Sequence, residues 1–112
     1  MSNFDLETKA RGIASRLMIS GEKVSGAQLA QEFGLTDSQK VRECVNWLRK
    51  QGDPSISRIA SDEGGYAWAT KWADVETTVH HLTGRAHSIL AASRGLAKAF
   101  GKSNIEQESL SL

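Results

Sequence analysis

The chain has 112 residues, a formal net charge of +1, 39% hydrophobic and 24% charged residues, and a single cysteine. That is room for one domain and a short extension, with the composition of a soluble globular protein. An internal disulfide is excluded, no apolar run is long enough to span a bilayer, and the overall charge neither supports nor excludes a nucleic-acid partner. The opening MSNFDLETKA lacks the basic-then-apolar pattern of a secretory signal. With one thiol, Cys44, this reads as a cytoplasmic protein with no membrane partner.

Charge is unevenly distributed. Residues 1–52 carry eight Lys/Arg against six Asp/Glu, and residues 71–102 carry five against two. Residues 53–70 carry one Arg against three acids. A locally basic face is compatible with a nearly neutral molecule.

The first predicted helix covers 5–19, where Leu6, Ala10, Ile13 and Leu17 recur at steps of three and four and Gly21 supplies a stop. A second helix starts at Ser25, whose hydroxyl can cap it, with Gln28 at the capping-box position and Leu29, Ala30 and Phe33 facing inward. Gly34 makes the turn. A third helix follows at once, with Thr36 as the expected cap, Gln39 at its box position, and Val41, Val45 and Leu48 as its core face. Gly52 and Pro54 close it. Ile56–Ala60 and Tyr66–Thr70 are β-prone runs around Asp62-Glu63-Gly64-Gly65, which predicts a hairpin. Tyr66, Trp68 and Trp72 are expected to complete the core, and Trp47 to pack partly under the hairpin. The expected fold is mainly α with a small β-hairpin, a winged helix-turn-helix over residues 1–70 followed by a long C-terminal helix.

That helix is expected over 71–100, which contains no proline. Trp72, Val75, Val79, Leu82, Ala86, Ile89, Ser93, Leu96 and Phe100 alternate steps of three and four, as in a coiled coil. Thirty residues of helix measure about 45 Å, more than so small a head can cover. Trp72, Val75 and Val79 are expected to pack on the head. Leu82, Ala86, Ile89, Ser93, Leu96 and Phe100 then require a partner, most simply the same helix of a second copy in a homodimer. The competing arrangement is a bend at Gly84 that folds the helix back. Residues 101–112 read as a mobile tail.

Residues 19–69 resemble the winged-helix domain at the N-terminus of biotin-operon-type repressors and of small phage and bacterial regulators. The resemblance rests on Ser25-x-x-x-Leu29-Ala30, Phe33-Gly34-Leu35-Thr36, Val41-Arg42-x-x-Val45-x-x-Leu48-Arg49, Gly52-x-Pro54 and Gly65-Tyr66. These positions encode fold more than activity, and no biotin-ligase domain follows. The resemblance implies that the third helix lies in the major groove of double-stranded DNA.

On that helix the side opposite the core carries Ser38, Arg42, Asn46 and Arg49, flanked by Gln39 and Lys50. Arg suits guanine, Asn suits adenine, and Ser suits a base edge or a phosphate. Arg58 is the only base within the predicted hairpin, with Lys71 just beyond, and is the residue through which the hairpin would contact DNA, since its acidic tip, Asp62-Glu63, would be repelled by phosphate. The expectation is a small transcriptional regulator of phage or bacterial type that binds a specific duplex sequence as a dimer. The other reading is a phage-type structural or adaptor protein that uses the winged helix for assembly. His80, His81 and His87 do not make a metal cluster, no phosphate-binding glycine loop occurs, and no cofactor or enzymatic activity is expected.

Overall fold

The computed structural model describes residues 3–102. Their order is α1 (Asn3–Ser20), α2 (Gly26–Glu32), α3 (Ser38–Lys50), β1 (Ile59–Asp62), β2 (Gly65–Trp68) and α4 (Trp72–Ala99). The fold is mainly α with one two-stranded antiparallel hairpin and a long C-terminal helix. The chain divides into two compact units between Thr78 and Val79, inside α4 rather than ahead of it.

In the first unit the apolar stripe of α1 does what its spacing predicts. Ala10, Ile13, Ala14 and Leu17 are buried. They meet Leu29 and Ala30 of α2, Val41, Cys44, Val45 and Leu48 of α3, and Ile59 of β1. Truncating Leu48 to Ala in such a core costs about 2–5 kcal/mol. Gly12 lets α1 approach α2, since a Cβ there would lie 2.7 Å from Cε1 of Phe33. Arg16 pairs with Glu32 at 2.7 Å, and Lys9 Nζ donates to the carbonyl of Phe33 at the C-terminal end of α2. A cation there is favoured by the helix dipole.

The turn between α2 and α3 is made by Gly34 at φ +65, as expected. Ser25 Oγ accepts from Gln28 N–H, but the Gln28 side chain turns to Glu32 instead of closing a capping box. The cap of α3 is Asp37, not Thr36: its extended backbone lets Oδ1 accept from Lys40 N–H. A carboxylate outranks a hydroxyl at a helix N-terminus because it also meets the dipole. Gln39 therefore leaves the box role and accepts from Arg42.

The strands lie nearer the tip than the predicted 56–60 and 66–70. Ile56 and Ser57 are held in a turn after Pro54, their N–H groups donating to the Asp53 carbonyl while Asp53 Oδ1 accepts from Ser55. The register pairs Ile59 with Trp68 and Asp62 with Gly65, leaving Glu63-Gly64 as a two-residue loop.

Tyr66 and Trp68 pack against the core, but Trp72 is 62% exposed and does not join it. Val75 is half-buried and Val79 exposed. The buried α4 residue is Thr78. Trp47 is half-buried, with the Arg11 guanidinium 5.5 Å from its ring centre. The helix over 72–99 includes Gly84 and Gly95 without a break. Gly101, at φ +77, and the Lys102 N–H bond to Ala97 end it. The expected mobile tail, apart from residues 101–102, falls outside the described residues.

Candidate nucleic-acid interface

The candidate surface is the outer side of α3. Four apolar residues at 41, 44, 45 and 48 are buried, so the helix is fixed in rotation about its axis. Ser38, Arg42, Asn46 and Lys50 follow one another at steps of four on the opposite side, and all are exposed. They span about 18 Å of helix. Gln39 is also exposed, and its Oε1 accepts from Arg42 Nη1 at 2.7 Å, which holds the guanidinium along the helix. Ser38 is seated close to α2, because a Cβ at Gly26 would come within 3.2 Å of the Ser38 Cβ.

Arg49 was expected in this row and is turned elsewhere. Its Nε and Nη2 donate to the Ile59 carbonyl at 3.1 and 2.9 Å, and Nη2 donates to Ser61 Oγ at 3.0 Å. Arg49 lies within about 20° of Arg42 around the helix but two turns further along it, where β1 comes within reach of its guanidinium. Lys50 continues the exposed row in its place. Arg58 is exposed, on the segment leading into β1, and its carbonyl accepts from Ala69 N–H.

At the N-terminal end of α3 the Asp37 carboxylate already occupies Lys40 N–H. That end therefore presents an anion, and the cationic part of the row is its C-terminal two thirds. The hairpin tip carries less net negative charge than its sequence suggests. Asp62 Oδ2 pairs with Lys23 Nζ at 2.6 Å and its Oδ1 accepts from Gly64 N–H at 2.7 Å. The Lys23 ammonium, then the Gly64 amide, hold the Asp62 carboxyl below its ordinary pKa. Glu63 is the exposed acid of the loop.

No family model matches the chain, and no curated protein or solved structure matches it. The site is therefore read from its own geometry. Burial raises the Cys44 thiol above its ordinary pKa, with Glu43 adding to the effect, so it is an inert core group. No helix among the described residues is long and apolar enough to cross a membrane.

The residues expected to pair two copies are unevenly exposed within the described structure. Ile89, Leu96 and Phe100 are 63%, 66% and 78% exposed. Ala86 is exposed, and Leu82 and Ser93 are half-covered. Two structural contributions had no signal in spacing, and a third had one. Lys23 and Asp62 are 39 residues apart. Thr78 is a polar residue on an apolar face. Asp74 Oδ2 accepts from the N–H groups of Thr70 and Lys71, capping α4. The motif Thr70-x-x-x-Asp74 was readable as a cap, one residue longer than the usual box.

Proposed function

We propose that the protein is a sequence-specific double-stranded DNA-binding regulator of the cytoplasm, a winged helix-turn-helix that places α3 in the major groove. The observation that carries this is the exposed row Ser38, Arg42, Asn46 and Lys50 on a helix whose other side is locked into the core. Donors suited to guanine, adenine and phosphate stand on one face of a rigid element. The tight turn at Gly34, which sets α2 before α3, supports the same reading. Two copies joined through α4 would offer two such helices to half-sites one DNA turn apart, about 34 Å.

The test is enrichment from a randomised duplex library, followed by titration of the enriched site and of scrambled duplex with wild type and Arg42→Ala. A recovered site, bound more tightly than scrambled DNA, with discrimination reduced in the variant, supports the proposal. A library that yields no enriched sequence from a folded protein rejects it.

The second reading, an assembly or adaptor subunit, is favoured by two observations. The net charge is only +1, and the exposed apolar residues of α4 offer an assembly surface. It predicts a large oligomer by light scattering and no duplex binding at low salt.

A further inference from the structure

From Thr77 to Ile105 the sequence contains no Asp or Glu, while Arg85, Arg94, Lys98 and Lys102 all fall in that span. Arg94, Lys98 and Lys102 are exposed, as are His80 and His87. At about 100° per residue, His80, His87, Arg94 and Lys98 fall on one side of α4. From His80 to Lys98 this stripe is about 27 Å long. Ile89, Leu96 and Phe100 lie about 160° away around the helix.

We infer that this stripe of α4 is a second DNA-contacting surface, which grips the phosphate backbone without reading bases. The inference rests on the proposed DNA-binding function and adds a separate element to it. Charge is the first argument. A pair of these helices joined through the apolar side would carry a set of cations on each outer side, with no carboxylate in the same segment to answer them. A polyanion answers them. The helix dipole gives Lys98 and Lys102 a local reason at the C-terminal end, but it does not account for Arg94 or for the missing acids over the earlier turns. Position is the second argument. A helix lying in a membrane surface buries its apolar side and needs cations at the margins of that side. Of the four cations, Arg85, about 40° from Ile89, stands at such a margin, while Arg94 and Lys98 stand opposite the apolar side and would point to water. If the apolar side joins two copies instead, the basic stripe faces outward and is available to DNA.

The experiment measures affinity of the full chain for a scrambled duplex over a series of salt concentrations. The variants are Arg94→Gln/Lys98→Gln/Lys102→Gln and the charge-keeping Arg94→Lys/Lys98→Arg. Each phosphate contact contributes about 0.9 to the slope of log K against log salt, so the triple variant should lose about 2–3 from its magnitude. The charge-keeping pair should keep the wild-type slope. Discrimination between the enriched site and scrambled DNA, which Arg42→Ala reduces, should be unchanged in the triple variant. An unchanged slope in the triple variant, with Arg42→Ala still impaired, overturns this inference alone. No duplex binding by wild type overturns it together with the proposed function. Wild-type binding to phosphatidylserine-containing vesicles, with none to duplex at the same ionic strength, overturns it in favour of a membrane surface.

Discussion

The Thr78 hydroxyl takes the place of a neighbouring β-strand for Ser61, accepting from its N–H and donating to its carbonyl, both at 3.1 Å. On the other edge of the hairpin Val24 pairs with Tyr66 through two backbone bonds of 2.8 Å. A two-stranded hairpin alone is marginal in water. This one is closed on both edges, by Val24 ahead of α2 on one and by Thr78 of α4 with Arg49 of α3 on the other. Replacing Thr78 with Val keeps the shape and removes both bonds. Thr78→Val should cost about 1–3 kcal/mol, because the Ser61 backbone groups are left part-buried and unsatisfied. Thr78→Ser should recover most of that. Urea unfolding checks the order, and a Val variant as stable as wild type would remove the edge role.

Gly65 should be the least replaceable glycine. Its φ is +135, and a Cβ there would lie 2.3 Å from the Val24 carbonyl oxygen. Gly65→Ala meets backbone on both counts, so it must open the Val24–Tyr66 edge or move the strand. Backbone strain alone is about 1–3 kcal/mol. Next to it, a Cβ at Gly64 meets Lys23 Cδ at 3.0 Å, the flexible part of a side chain. Gly64→Ala should therefore be the milder change, and comparable melting temperatures for the two would contradict the close approach.

Arg42 and Arg49 should separate function from stability. They stand two turns apart on α3, but Arg42 is exposed while Arg49 ties the helix to Ile59 and Ser61. Arg49→Met should lower stability by about 1–3 kcal/mol through the stranded Ile59 carbonyl. Arg42→Ala should leave stability within about 0.5 kcal/mol, as exposed substitutions do. It should instead cost ~1–3 kcal/mol of discrimination at its base pair. The two are compared by urea midpoint and duplex titration, and a stability loss in Arg42→Ala equal to that in Arg49→Met would merge the roles.

The contrast also marks where periodicity stops being informative. Spacing identifies the core sides of α1 and α3 because burial of Ile13, Leu17, Val41 and Leu48 imposes a helical repeat on the residue types. The outer side carries no such constraint. Arg49 shares the side of Arg42 and reads as a member of the α3 row, with Lys50 beside it, until β1 is placed within its reach. Asp62 read as a repelling tip for the same reason: its partner Lys23 is distant in sequence. Size and the spacing shared with Val75 and Val79 point Trp72 to the core, but it is 62% exposed and Thr78 makes the buried contact. The cap moved from Thr36 to Asp37 within the one- or two-residue uncertainty of any helix start.

Acid should loosen the caps and the hairpin tip together. The Thr70 amide, followed by that of Lys71, holds Asp74 below its ordinary pKa, and Lys23 does so for Asp62. Arg16 lowers Glu32 in the same way. A carboxyl whose folded pKa is depressed contributes stability above its unfolded value and loses it as pH falls through the folded one. The melting temperature should therefore be flat from pH 7 to about 5 and fall below about 4, where unfolded carboxylates protonate. Asp74→Asn should lie below wild type at pH 7, and the gap should narrow in acid. A gap that persists at pH 2 would assign the effect to something other than the carboxylate.

The far part of α4 should decide the assembly. Ile89, Leu96 and Phe100 are more than half exposed in one copy. A helical segment of some twenty residues without a packed face is marginal in water. Fully burying a side chain of this kind contributes about 1.5–3 kcal/mol, so six of them across two copies contribute roughly 9–18 kcal/mol. Association costs about 4–15 kcal/mol, a term of the same order. The dimer should therefore depend on concentration, and losing two of the three side chains should abolish it. Ile89→Gln/Leu96→Gln should give the monomer mass by light scattering at concentrations where wild type is dimeric. Helix signal should fall with it, because the unpaired segment frays, while the urea midpoint of the first unit, followed by tryptophan fluorescence, stays in place. An unchanged mass in the variant would show that these residues do not join the copies.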